Sequence, residues 1–192
     1  MKIGLYFGSF NPIHIGHLVI ANHMVEHSNL DKVWFVVTPH NPFKKKSSLL
    51  DNNQRLEMVY RATKDYDTLN PSDIEFNLSQ PNYTINTLVY LEEKYPNYEF
   101  CLIMGEDNLK SFHKWKNYEL ILENHDIYVY PRLSEGKVET QFDGHKKIHS
   151  VKAPIMELSS TFIRNSIKEG KNVKPMLPEH VWDYLDEMNF YK

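Results

Sequence analysis

The sequence predicts an α/β protein built on a mostly parallel sheet with helices on both faces. Three observations carry that expectation. Short apolar runs suited to buried strands alternate along the chain with segments of helical period. No internal repeat or low-complexity tract interrupts the alternation. The first 38 residues already spell β-α-β, a unit that almost always closes as a right-handed crossover.

Residues 2–7 read as a strand, 8–12 as a turn, and 14–27 as a helix whose apolar positions include Leu18, Ala21 and Val25. Asn11 before Pro12 is a helix-start signal, because asparagine caps exposed amides and proline at the first helical position forfeits no hydrogen bond. Residues 33–38 form an apolar run of the kind found in buried parallel strands. After a loop over 39–50, a helix opens at Asp51, where Gln54 completes a capping box and Leu56, Val59 and Tyr60 face inward. A strand is expected over 74–78, then a turn at Gln80-Pro81-Asn82, a helix over 84–94 and a strongly apolar strand over 100–104. A short strand at 126–130, a polar exposed segment at 135–147 and a strand at 148–151 follow. Two helices close the chain. One starts at Ser159 or Ser160 and stops at Gly170, both suitable caps, and the other runs from Pro178 to Met188. The whole, 1–192, reads as one domain with its ligands at the carboxyl ends of the strands.

With 192 residues, 41% hydrophobic and 24% charged, the chain can bury a core without metals or disulfides. Its first apolar run, Ile3 to Phe7, is broken by Gly4 and is too short for a signal peptide or a membrane span, so a cytoplasmic protein with no membrane partner is expected. Cys101 is the only cysteine and sits among apolar residues, which excludes a disulfide framework and predicts a buried, inert thiol. A formal net charge of -3 gives no overall attraction to nucleic acid. The one basic cluster, Lys44-Lys45-Lys46, is either a solvated loop or a loop facing phosphate.

The chemistry concentrates at the first β-α turn. Gly8 and Ser9 give a tight bend leading to a helix N-terminus, a natural place for a phosphate. His14 and His17, three residues apart, share one face of the first helical turn, and Gly16 between them leaves room for a ligand. Ordinary surface histidines are the competing reading, since the chain has ten. A zinc site lacks further ligands of suitable spacing, so no protein-bound metal is expected. The turn is Gly-Ser-Phe-Asn-Pro and not Gly-x-Gly-x-x-Gly, which disfavours hydride transfer with a dinucleotide.

The run Gly8-Ser9-Phe10-Asn11-Pro12-Ile13-His14-Ile15-Gly16-His17 resembles the signature of the nucleotidylyltransferase superfamily, and Ser159-Ser160-Thr161-Phe162-Ile163-Arg164 resembles its second mark. Three further stretches are similar to the bacterial nicotinate-nucleotide adenylyltransferases: Tyr83-Thr84-Ile85-Asn86-Thr87-Leu88, Gly105-Glu106-Asp107 with Lys114-Trp115, and Pro39 to Lys44. Two positions depart from the pattern. Phe7 stands where glycine is frequent, and Asn86 replaces a frequent aspartate, removing a charge that would repel an acid substrate.

The resemblance implies a Rossmann-like nucleotidylyltransferase fold whose C-terminal helical part, about 158–192, completes the ATP site. It implies transfer of AMP from ATP to nicotinate mononucleotide, giving the deamido dinucleotide and pyrophosphate, with Mg2+ entering alongside ATP. His14, His17, Lys44 and Arg164 would then be the catalytic donors. Gly8, Ser9, Phe10, Gly16, Gly105, Asp107, Ser159, Ser160 and Thr161 would surround ATP, and Asn11, Tyr83, Thr84 and Trp115 would receive nicotinate mononucleotide. A transferase acting on phosphopantetheine, a cytidylyltransferase and a nucleotide-binding regulator without turnover are the alternatives. A homo-oligomer is left open.

Overall fold

The computed structural model describes residues 1–39, 49–132 and 140–192. Six parallel strands form one sheet: β1 (Lys2–Gly8), β2 (Lys32–Val37), β3 (Leu69–Ser72), β4 (Glu99–Gly105), β5 (Ile127–Tyr130) and β6 (Ile148–Ser150). Their spatial order is β3-β2-β1-β4-β5-β6. The winding reverses between β1 and β4, and in doubly wound sheets the crevice beyond the carboxyl ends of the strands at such a switch is the ligand position. Gly8, at the end of β1, and Gly105, at the end of β4, flank that crevice. The α/β, Rossmann-like expectation is borne out.

Among the described residues the helices are α1 (Ile15–His27), α2 (Asn52–Thr63), α3 (Thr84–Lys94), α4 (Glu106–Ser111), α5 (Tyr118–Asn124), α6 (Ser160–Lys168) and α7 (Glu179–Glu187). Strand residues alternate between two cores, as a period of two requires. On one face Tyr6, Phe35 and Ile103 meet Ile20 and Met24 of α1, Met58 and Val59 of α2, Ile163 of α6, and Val181 and Leu185 of α7. On the other, Ile3, Leu5 and Leu102 meet Leu88 and Leu91 of α3, Leu109 of α4 and Ile121 of α5. Burying each such aliphatic side chain stabilises the fold by about 1.5–3 kcal/mol. No helix among the described residues is long and apolar enough to cross a membrane.

Several elements differ from the sequence expectation for physical reasons. The first helix opens at Ile15 with His14 as its N-cap, so Asn11 and Pro12 lie in the turn before it. The third strand is Leu69–Ser72, not 74–78. It lies at the sheet edge, where Pro71 forfeits no inner ladder bond, while Asp73 to Leu78 fold into hydrogen-bonded turns. Asp51 and Gln54 make the expected capping box, but the buried stripe of α2 is Arg55, Met58, Val59, Ala62 and Thr63. Tyr60 falls off that stripe and is exposed. The short helices α4 and α5 were not anticipated. Cys101 is buried and its thiol is pushed up to about 12 by desolvation, in keeping with an inert group.

Candidate active site

The first β-α turn is shaped by close packing. A Cβ on Gly8 would stand 2.8 Å from the Phe10 ring, so glycine there lets that ring fold back under the turn, where it is buried against Tyr6, Phe35 and His17. Phe10 itself takes φ 45°, a conformation that non-glycine residues rarely adopt. Three carbonyls of the turn are held from behind by distant side chains. Arg55 Nη1 donates to the Ser9 carbonyl at 2.7 Å, Arg164 Nη1 to the Asn11 carbonyl at 2.8 Å, and Ser160 Oγ to the Pro12 carbonyl at 2.9 Å.

His14 and His17 stack with ring centroids 3.7 Å apart at the N-terminus of α1. The His14 amide donates to His17 Nδ1 at 3.2 Å, which places the proton of a neutral His17 on Nε2. His14 is only 4% exposed, and its Nδ1 is buried with no hydrogen-bond partner among the described residues. Desolvation, joined by the positive charge of Arg132, pushes His14 down to about 4, so it is neutral at pH 7. Gly16 serves this arrangement differently from the expectation. A Cβ there would lie 3.1 Å from His14 Nδ1, so the space belongs to the His14 ring and not to a ligand.

The late Ser-Ser-Thr-x-x-Arg segment meets the turn directly. Ser159 caps α6 by accepting from the Phe162 amide, and Ser160 and Arg164 make the two bonds to Pro12 and Asn11. Arg164 Nη2 also reaches Thr161 Oγ1 at 3.3 Å. Asn11 is buried, and its side-chain oxygen accepts from Tyr191 and from the Leu50 amide. Across the crevice, Gly105 is the N-cap of α4, and exposed Asp107 lies 3.8 Å from Arg132 Nε. Lys44, with Lys45 and Lys46, falls outside the described residues.

A second group surrounds the start of α3. Tyr83 is its N-cap residue and is partly exposed, with Lys116 4.4 Å above its ring. Trp115, next to that lysine, is half-buried edge-on to Phe112. Thr84 opens the helix, and its Asn86 side is exposed. Beneath them lies Glu75, 2% exposed, with Oε1 accepting from Thr87 Oγ1 at 2.8 Å and Oε2 buried without a partner among the described residues. Burial raises its carboxyl above the usual range, against hydrogen bonds from Thr87 and Thr38.

Sequence reasoning missed Arg132, Arg55 and Tyr191. Arg132 carried a usable signal, a basic residue just past the carboxyl end of an apolar strand. Arg55 carried another, an arginine three and four residues before Met58 and Val59 on the apolar stripe of its helix. Tyr191 carried none, since its bond to Asn11 spans 180 positions. Among the described residues, the cluster able to ligate a metal is Glu99, Cys101 and Asp126. Lys2 occupies it, at 2.9 Å from Glu99 and 2.7 Å from Asp126, at the opposite end of the strands from the histidines.

A cytidylyltransferase-like family model matches residues 5–166. A protein of Flavobacterium johnsoniae, named "probable nicotinate-nucleotide adenylyltransferase", is 68% identical over 192 residues, the full length of both chains. One of Christiangramia forsetii with the same name is 69% identical over 191 residues, covering 100% of this chain and 98% of its own. Among solved structures, the nicotinic acid mononucleotide adenylyltransferase of Plasmodium falciparum, complexed with NaAD, superposes with a TM-score of 0.81 at 20% identity, over 99% of this chain and 97% of its own.

Proposed function

Because the chain belongs to the nicotinate-nucleotide adenylyltransferase family of cytidylyltransferase-like proteins, we propose the following assignment of the family reaction to its residues. The enzyme joins ATP and nicotinate mononucleotide to give nicotinate adenine dinucleotide and pyrophosphate, a step of NAD biosynthesis. A phosphate oxygen of the mononucleotide attacks the α-phosphorus of ATP, the new P–O bond forms, and the bond to the β-phosphate bridging oxygen breaks with its electrons leaving on pyrophosphate. A phosphate monoester has a second pKa of about 6, so the nucleophile is already largely dianionic and no general base is needed. Catalysis reduces to positioning and to stabilising charge on the α-phosphoryl and pyrophosphate oxygens.

The observation that carries this reading is the stacked His14–His17 pair at the N-terminus of α1, at the switch point of the sheet. His17 and His14 are each assigned a ring Nε2 facing the phosphates, since the His14 amide holds His17 Nδ1 and His14 Nδ1 is buried against Gly16. Neutral His14 contributes a hydrogen bond and no charge, so the cationic share falls to Arg164 and Arg132, and Lys44 is assigned to the same phosphates. Bonds from Ser160, Arg164 and Tyr191 to the turn support the reading that the C-terminal part completes the ATP site. Gly105 and Asp107 are assigned to the adenosine side. Mg2+ enters as part of the ATP substrate, held by its phosphates, in keeping with an Asp107 carboxylate that faces Arg132.

Tyr83, Thr84 and Trp115 are assigned to the nicotinate end. The N-terminus of α3 has no side-chain cap, so its amides and dipole favour a carboxylate there. Release of pyrophosphate from MgATP is to be measured in parallel with nicotinate mononucleotide, nicotinamide mononucleotide and phosphopantetheine. Turnover is expected with the first. Activity with phosphopantetheine alone would overturn the assignment, and none with any acceptor would make the protein a nucleotide-binding regulator.

A further inference from the structure

We propose that Arg55 is a positioning residue of this reaction: its buried guanidinium holds the Ser9 peptide so that the Phe10 amide is turned toward the polyphosphate of the substrate. The inference rests on the adenylyl-transfer reading for its substrate, and on the following geometry for its mechanism.

Arg55 is 0% exposed, yet all of its hydrogen-bond partners among the described residues are neutral oxygens. It donates to the carbonyls of Ser9 (2.7 Å), Thr38 (3.0 Å), Leu50 (3.0 Å) and Pro39 (3.3 Å) and to Asn52 Oδ1 (2.6 Å). No carboxylate pairs with it among the described residues. A buried cation without a counter-ion is costly, and arginine cannot escape the cost by losing its proton. Such a charge is tolerated where an anion completes the site, and the assigned reaction places a polyphosphate at the turn above it.

In a trans peptide the carbonyl and the following N–H point in opposite directions. Fixing the Ser9 carbonyl downward onto Arg55 therefore turns the Phe10 N–H the other way, and that amide donates to no backbone acceptor among the described residues. The same logic applies at Pro12, whose carbonyl is held by Ser160, so the Ile13 N–H is turned away from Ser160. With φ at 45°, Phe10 sits in a conformation that the chain would not hold unaided. The guanidinium fork restrains that conformation from below, and it also ties Thr38 and Pro39 beyond β2 to Leu50 ahead of α2. A lysine would keep the charge and lose the fork.

The test uses inorganic pyrophosphate as the probe, so that it does not depend on the second substrate. Its Kd is to be measured by calorimetry for the wild type, Arg55→Lys and Arg55→Met, at a temperature where circular dichroism shows each to be folded. Arg55→Lys is expected to bind pyrophosphate about tenfold more weakly or worse, a change of about 1.4 kcal/mol. Its kcat should fall while the KM for nicotinate mononucleotide stays near the wild-type value. A folded Arg55→Lys protein with wild-type pyrophosphate affinity and kcat would show a merely structural arginine and overturn the proposal. If neither variant folds, the wild type decides: pyrophosphate is expected to shift the Phe10 and Ile13 amide resonances in 1H–15N spectra, and an unmoved Phe10 amide overturns it. Failure of the wild type to release pyrophosphate from ATP with any acceptor would count against the assigned reaction and leave these binding results to judge Arg55 separately.

Discussion

Acidification should destabilise this protein through His14 in particular. In the folded chain burial, with the charge of Arg132 in support, holds the imidazole down to about 4, against an ordinary value of 6.5. The folded state therefore takes up a proton less readily than the unfolded chain. The stabilisation is fully present above about pH 6.5 and is lost as the pH falls toward 4. Between pH 7 and pH 5 the loss from this one group is roughly 2 kcal/mol, a sizeable part of the 5–15 kcal/mol typical of a folded domain. Urea unfolding of the wild type and of His14→Asn, each at pH 7 and pH 5, isolates it, because every other titrating group cancels in the difference. The wild type should lose roughly 2 kcal/mol more than the variant over that interval. Parallel losses in the two proteins would refute the claim that His14 is buried and neutral, and with it the division of labour between a neutral imidazole and the arginines.

Three other outcomes follow from the same geometry. His17→Ala should fold with little change in melting temperature and lower turnover by roughly 10²-fold or more, the scale of one preorganised donor lost; pyrophosphate release at the wild-type rate would remove His17 from the mechanism. Gly16→Ala gains about 1 kcal/mol in helix propensity, but its Cβ would press on His14 Nδ1 from 3.1 Å, so kcat should fall by about tenfold while the melting temperature holds or rises. Undiminished kcat would show that the His14 ring position is not critical. Glu75 has a folded pKa raised by burial, so its contribution is present below the usual carboxylate value and is lost as the pH climbs through the raised one. Glu75→Gln should abolish that decline, leaving a variant at least as stable as the wild type at pH 8 in chemical denaturation; an unaltered slope would mean that Glu75 is not the group responsible.

Much of the architecture was legible because it rests on local rules. Asp51 with Gln54, Ser159 before α6 and the uninterrupted apolar run of β4 each act within a few residues of themselves. The third strand was not, because Asn70-Pro71-Ser72 has poor strand propensity and survives only at an edge, while the more apolar Ile74 and Phe76 pack from turns. Gly16 was read as room for a ligand because spacing along a helix does not say which side chain fills the vacated space. Only the orientation of the His14 ring settles that.

The sequence by itself determined the β-α-β start, the alternating layers, and the placing of two histidines on one turn of one helix. It also showed, through resemblance, which reaction to expect. Those are consequences of short-range periodicity and of motifs whose members lie within ten positions of each other. The tertiary structure alone decided what holds the phosphate turn, and with which charges. Arg55, Ser160, Arg164 and Tyr191 reach residues 9–12 from 46 to 180 positions away. Arg132 shifts His14 through space from another strand end. Hydrogen bonding and Coulomb attraction depend on distance in space, and the chain order that records local geometry carries no measure of that distance until the sheet has wound both ways and brought its ends to one crevice.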